Sequence, residues 1–210
     1  MALVKYNDRS LRNLTTAPAA VTGNSPGALV HIKTLTASSS ASLTFVHGSS
    51  DVVLDSTYPI YKFEFINLNP ASDDKKFQVN FRDGGTNYDA TKTTTNFFAF
   101  NREGSGDPGF SYSTGNDLAQ STAVQVISES AGNGADESVS GEMTLFNPSS
   151  TTFVKHFMSR TNTYYTSDIS YDVYVAGYCN VTAAIDGVQF TFESGGNFDG
   201  TIKLYGIKDS

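Results

Sequence analysis

Residues 77–82 read FQVNFR, and residues 61–66 read YKFEFI. In the first, Phe77, Val79 and Phe81 alternate with Gln78, Asn80 and Arg82. In the second, Tyr61, Phe63 and Phe65 alternate with Lys62, Glu64 and Ile66. A period of two puts every ring on one face of an extended strand and leaves the polar side chains on the other. The same pattern recurs in Tyr171, Val173 and Val175, and again in Val188, Phe190 and Phe192. Four half-buried strands with aromatic inner faces already predict a sheet protein.

Less regular strand candidates lie around these. They are Leu29 to Thr36, Ala41 to Val46, Asp51 to Leu54, Asn96 to Phe100, Ala123 to Ser128, Ser140 to Phe146, Thr152 to Met158 and Thr201 to Ile207. Turn-rich clusters separate them: HGSSD, PASDDKK, RDGGTNYD, REGSGDPG, SAGNGADE, NPSS and SGGNFDG. Gly and Asn supply positive φ in such turns, and Asp and Ser bond back to local amides. Ten to twelve short strands without a helical period predict an all-β chain, an antiparallel β-sandwich of jelly-roll-like form. The composition agrees. The 210 residues include 25 Ser, 23 Thr, 15 Phe and 11 Tyr, and only 17% are charged. The polar stretch 103–121 reads as a projecting loop. A boundary near residue 105 would leave neither half with enough core, so one domain over 29–210 is expected.

Residues 1–28 read differently. Pro18, Gly23, Pro26 and Gly27 interrupt the stretch and no period emerges, which predicts an extended N-terminal arm. Apolar residues occur singly at Leu3, Val4, Tyr6, Leu11 and Leu14, interleaved with Lys5, Arg9 and Arg12. Residues 1–33 carry a net +3 and the remainder −10, within a total of −7. A basic arm on an acidic body suits docking onto an acidic partner. The acidic total speaks against non-specific nucleic-acid binding. No apolar run is long enough for a membrane helix, and the first residues lack a signal-peptide core.

The sequence offers little for catalysis. His31, His47 and His156 sit in strands or strand ends without a nucleophile elbow. Asp73–Asp74 and Asp136–Glu137 lie in solvated turns, poor places for a general acid. The loops Asp83 to Asp89 and Gly195 to Gly200 offer oxygens for calcium, but ordinary hairpin chemistry accounts for them better. Cys179 has no partner and reads as a small core residue. No enzyme activity, metal or cofactor is therefore expected. Exposed Phe110, Tyr112, Tyr164 and Tyr165 are candidates for surface recognition of a protein pocket or a sugar. In the pair Phe97–Phe98, one ring falls on each face, so the outer one needs a cover, such as a neighbouring subunit.

Three stretches carry a resemblance. The arm opens MALVKYNDRSLRNLTTAP. A strand pair follows as LVHIKTLTASSSASLTFVHG and DVVLDSTYPIYKFEFINLNP. The chain closes IDGVQFTFESGGNFDGTIKLYGIK, with TLFNPSSTTFVKHF and YVAGYCN between. These resemble virion structural proteins of tailed bacteriophages, especially those of marine bacteria. The resemblance implies a jelly-roll-like sandwich that assembles and adheres without catalysis, often as a homotrimer on the virion. The expected function is that of a capsid decoration (cement) or head-fibre protein. Its arm would run across the major capsid protein, with Leu3, Val4, Tyr6, Leu11 and Leu14 in grooves and Lys5, Arg9 and Arg12 on carboxylates. The alternative is a tail-fibre tip that reads host glycans with Tyr112, Tyr164 and Tyr165. A loop-borne glycosidase is a distant third.

Overall fold

Phe190 explains the architecture in one residue. Its ring lies 5.3 Å from that of Phe63, 5.2 Å from Phe65, 5.7 Å from Phe77 and 6.2 Å from Phe45. All five rings are buried, and they come from strands of two different sheets. The computed structural model describes residues 29–208; the arm reading for 1–28 lies outside them.

Among the described residues twelve strands run in chain order: β1 (Leu29–Ser40), β2 (Leu43–Val46), β3 (Ile60–Pro70), β4 (Phe77–Arg82), β5 (Lys92–Arg102), β6 (Pro108–Tyr112), β7 (Gln125–Val126), β8 (Val139–Phe146), β9 (Lys155–Tyr165), β10 (Ile169–Cys179), β11 (Gly187–Phe192) and β12 (Phe198–Ile207). One sheet has the order β1-β12-β3-β8-β9-β10-β5-β6, the other β2-β11-β4-β7. Every pairing is antiparallel. The facing quartets β1-β12-β3-β8 and β2-β11-β4-β7 have the strand order of a jelly roll, two Greek keys wound together. Two excursions enlarge it. The hairpin β5–β6 interrupts the run from β4 to β7, and the hairpin β9–β10 interrupts the run from β8 to β11. Both join the same edge of one quartet and widen it to eight strands.

The inner side of this extension needs a cover, because the small sheet reaches only part of it. Residues 113–131 supply that cover. The Thr94 hydroxyl donates to Gln125 Oε1 at 2.6 Å, Asn96 Nδ2 to Val126 O at 3.2 Å, and Thr161 Oγ1 to Ile127 O at 2.6 Å. Strand side chains here satisfy the backbone of a strap that has almost no ladder of its own. The projecting-loop reading of 103–121 is thereby corrected. The stretch holds edge strand β6, and its later residues lie against the sheet. At β6 the Phe100 ring covers Gly109 so closely that a Cβ there would stand 2.2 Å from Cε1.

Two strand expectations change. Asp51 to Leu54 is a turn: Gly48 N–H donates to Val52 O at 2.9 Å, and Leu54 N–H to His47 Nδ1 at 3.1 Å. Val52 and Leu54 are buried all the same, so the alternation was real while the ladder was absent. Ala123 to Ser128 shrinks to the two residues of β7.

Candidate binding face

The outer face of the eight-stranded sheet carries one unbroken in-register row. It runs Thr34, Lys203, Glu64, Glu142, Arg160, Tyr174, Phe97, Tyr112 from β1 to β6. The row is charged over its middle strands and aromatic toward the β6 edge. The two halves meet at Arg160.

Arg160 is held from two directions. Its Nε and Nη2 donate to the two carboxylate oxygens of Asp172 at 3.0 and 2.8 Å. Its guanidinium lies 5.1 Å above the Tyr174 ring, and Tyr174 Oη donates back to Asp172 Oδ2 at 3.1 Å. The hydrogen bond to Arg160 holds the Asp172 carboxyl below its ordinary range, and the same bond raises the guanidinium pKa. Beyond Tyr174, Phe97 stacks parallel at 5.1 Å, and Phe110 follows at 5.6 Å from Phe97. Guanidinium and three rings thus form a ladder across β9, β10, β5 and β6, stacked between Tyr174 and Phe97 and tilted by 48° at Phe110. Phe97 is half-buried between Tyr174 and Phe110, and Phe98, on the opposite face, packs against the core beside Tyr171.

The ladder ends in open surface. Phe110 is 71% exposed and Tyr112 47%, and Met158, on the same face three strands away, is 56% exposed. A trough of about 320 Å3 runs beside it, lined by Phe97, Thr144, Phe146, Met158, Tyr174 and Ala176. Two exposed large apolar side chains, Phe110 and Tyr112, stand two residues apart on one face of the β6 edge, and such a patch suits an interaction surface.

The four aromatic candidates do not form one site. Phe110 and Tyr112 sit on β6 at the end of the ladder, with Tyr112 Oη donating to Asp117 Oδ2 at 2.8 Å. Tyr164 shares the outer face, where its phenol donates to Asp168 Oδ1 at 3.0 Å and is thereby pushed up to about 12. Strand geometry separates Tyr164 from Tyr112 by about 20 Å, four residues along and three strands across. Tyr165 turns to the inner side, its ring 5.3 Å from Tyr171. The arm candidates Leu3, Val4, Lys5, Tyr6, Arg9, Leu11, Arg12 and Leu14 lie outside the described residues. Sequence reading missed Arg160, Asp172, Phe97 and Tyr174 as a unit, because they become neighbours only through strand pairing.

Other chemistry-bearing residues are dispersed. His31 and His156 are exposed strand residues beside Tyr205 and Tyr178, and His47 accepts the Leu54 amide. Among the described residues, no three His, Cys, Asp or Glu side chains converge as metal ligands. Cys179 is fully buried, and burial pushes its thiol up to about 12. The native protein should therefore resist thiol-labelling reagents at pH 8 and take up label at this single cysteine only when denatured. Rapid labelling of native protein would show that the end of β10 opens. No family model, curated protein or solved structure matches the chain.

Proposed function

We propose that this chain is a structural protein of a virion, of the capsid decoration or head-fibre type, which binds the outer surface of a major capsid protein shell and stabilises it. The observation that carries the reading is the ladder Arg160–Tyr174–Phe97–Phe110 ending in an exposed apolar edge at Phe110 and Tyr112. Tyr174 and Phe97 stack on each other, while Phe110, tilted against Phe97, and Tyr112 remain open at one edge. Exposed aromatic side chains of this kind suit the desolvated centre of a protein contact. The jelly roll supports the reading by analogy only, since viral capsid and lectin domains share it with other functions. The basic, apolar-dotted arm would add contacts to an acidic shell, and three arms in a trimer would multiply weak contacts into long-lived ones. The glycan-reading alternative needs Tyr112, Tyr164 and Tyr165 on one platform, which their placement does not provide.

The test is retention on undecorated capsid particles in co-sedimentation. Phe110→Ser with Tyr112→Ser should weaken retention at least tenfold, about 1.4 kcal/mol. Deleting residues 1–27 should do the same. Exposed positions of this kind change fold stability by under about 0.5 kcal/mol, so the double variant should melt with the parent. Undiminished retention of both variants overturns the proposal.

A further inference from the structure

Between β4 and β5 the chain crosses from the small sheet to the large one. At that crossing Lys92, which is fully buried, meets Asn80, which is 6% exposed. Lys92 Nζ lies 2.6 Å from Asn80 Oδ1 and 2.7 Å from Ala90 O. Among the described residues it makes no ion pair. An ammonium has three hydrogens to place, a neutral amine two. A dry site with two acceptors fits the amine and leaves its lone pair free. Burial moves the group the same way, lowering its pKa to about 8. Cys179, in register beside Lys92 on β10, stays a neutral thiol and contributes no countercharge.

Asn80 is arranged as an electrophile. Its Oδ1 accepts both the Lys92 contact and the Phe81 backbone N–H at 3.0 Å. The Phe81 amide is positioned to stabilise negative charge on that oxygen. Asn80 Nδ2 points to Thr122 O at 3.4 Å. With a carbonyl bond of about 1.23 Å, the amide carbon is at most about 3.8 Å from Nζ, close to a near-attack distance of about 3.5 Å.

We infer that Lys92 Nζ and Asn80 Cγ join in an intramolecular isopeptide bond. A small turn about the broad terminal torsion of Asn80, with Cγ itself on the axis, presents the face of the carbonyl to the amine. Nζ adds to Cγ, and the oxygen charge is held by the Phe81 amide. One Nζ proton passes to Nδ2, the Cγ–Nδ2 bond breaks, and ammonia leaves. Lysine amine plus asparagine amide become a secondary amide plus ammonia, with no oxidant or reductant. Among the described residues no carboxyl group touches the pair to shuttle the proton, so the reaction is slow and completes after folding. The product ties the two sheets together where the chain passes between them.

The test is the intact mass of the purified wild-type protein after a week at pH 9. The expected mass is about 17 Da below that of the sequence, the mass of ammonia. Trypsin on the denatured protein should fail to cut after Lys92 and should release a branched peptide joining Asn80 to Lys92. Lys92→Arg should restore the full mass. Wild type at full mass and cleaved after Lys92 overturns the inference, whether or not the variant folds. A 17 Da loss that persists in Lys92→Arg also overturns it, because ammonia has then left another asparagine.

Discussion

Replacing Phe190 with alanine should destabilise the protein by about 3 to 5 kcal/mol, the usual cost of deleting a buried ring. In a domain of this length that lowers the melting temperature by about 6 to 20 °C. The site argues for the upper half of the range. Phe190 touches Phe45 on its own sheet's edge strand, Phe77 on its other neighbour, and Phe63 and Phe65 across the sandwich. Three of these rings sit on strands paired on both sides, and they cannot collapse into the vacated volume without moving a sheet. Unrelaxed volume is what raises the cost of a cavity. Calorimetry on Phe190→Ala checks this. A shift under two degrees would mean that the inter-sheet core is not centred on this ring.

The inner faces were legible in the sequence because rings at every second residue have only one way to be buried together. Tyr61, Phe63, Phe65, Phe77, Val79, Phe81, Val188, Phe190 and Phe192 are all buried. Strand order was not legible. That β12 inserts between β1 and β3, and β11 between β2 and β4, is a matter of long-range pairing that no local pattern encodes. The face at Arg160 failed to show for the same reason. Phe97 and Phe110 belong to one hairpin, but Tyr174 and Arg160 arrive some 60 residues later on β10 and β9. The strap over the extension left no period either. Its backbone is satisfied by Thr94, Asn96 and Thr161 side chains, and hydroxyls scattered through a Ser- and Thr-rich chain do not announce which of them turn inward.

The buried lysines were the least foreseeable feature. Lys155 opens β9 and Lys92 opens β5, and both flank Cys179 in register on β10. In sequence each looks like a solvated strand end. In the fold both are fully buried, because the loops that follow β8 and β10 close over that end of the sheet.

Lys155 should therefore be as costly to replace as a core ring. Its Nζ donates to the carbonyls of Val181 and Ala183, each at 2.5 Å, and to Ser150 O at 3.3 Å. One cation thus ties the loop before β9 to the loop before β11, using all three of its protons. Burial lowers its pKa from the ordinary lysine value, which measures how much the site would prefer no charge; the three carbonyls are what hold the ammonium there. Lys155→Met keeps the length and most of the volume of the stem but leaves those oxygens without donors. An orphaned buried acceptor costs about 1 to 3 kcal/mol. Two short bonds and one longer one then add to about 3 to 5 kcal/mol, less whatever water can enter to replace the ammonium. Urea unfolding should show a lowered midpoint with an unchanged slope. Lys155→Arg, which retains donors but enlarges the head group, should recover only part of the loss, since a planar fork cannot point at three carbonyls arranged around a tetrahedral nitrogen. If Lys155→Met were as stable as the parent, the loop carbonyls would already be served by solvent, and the end of the sandwich would be open where it now looks sealed.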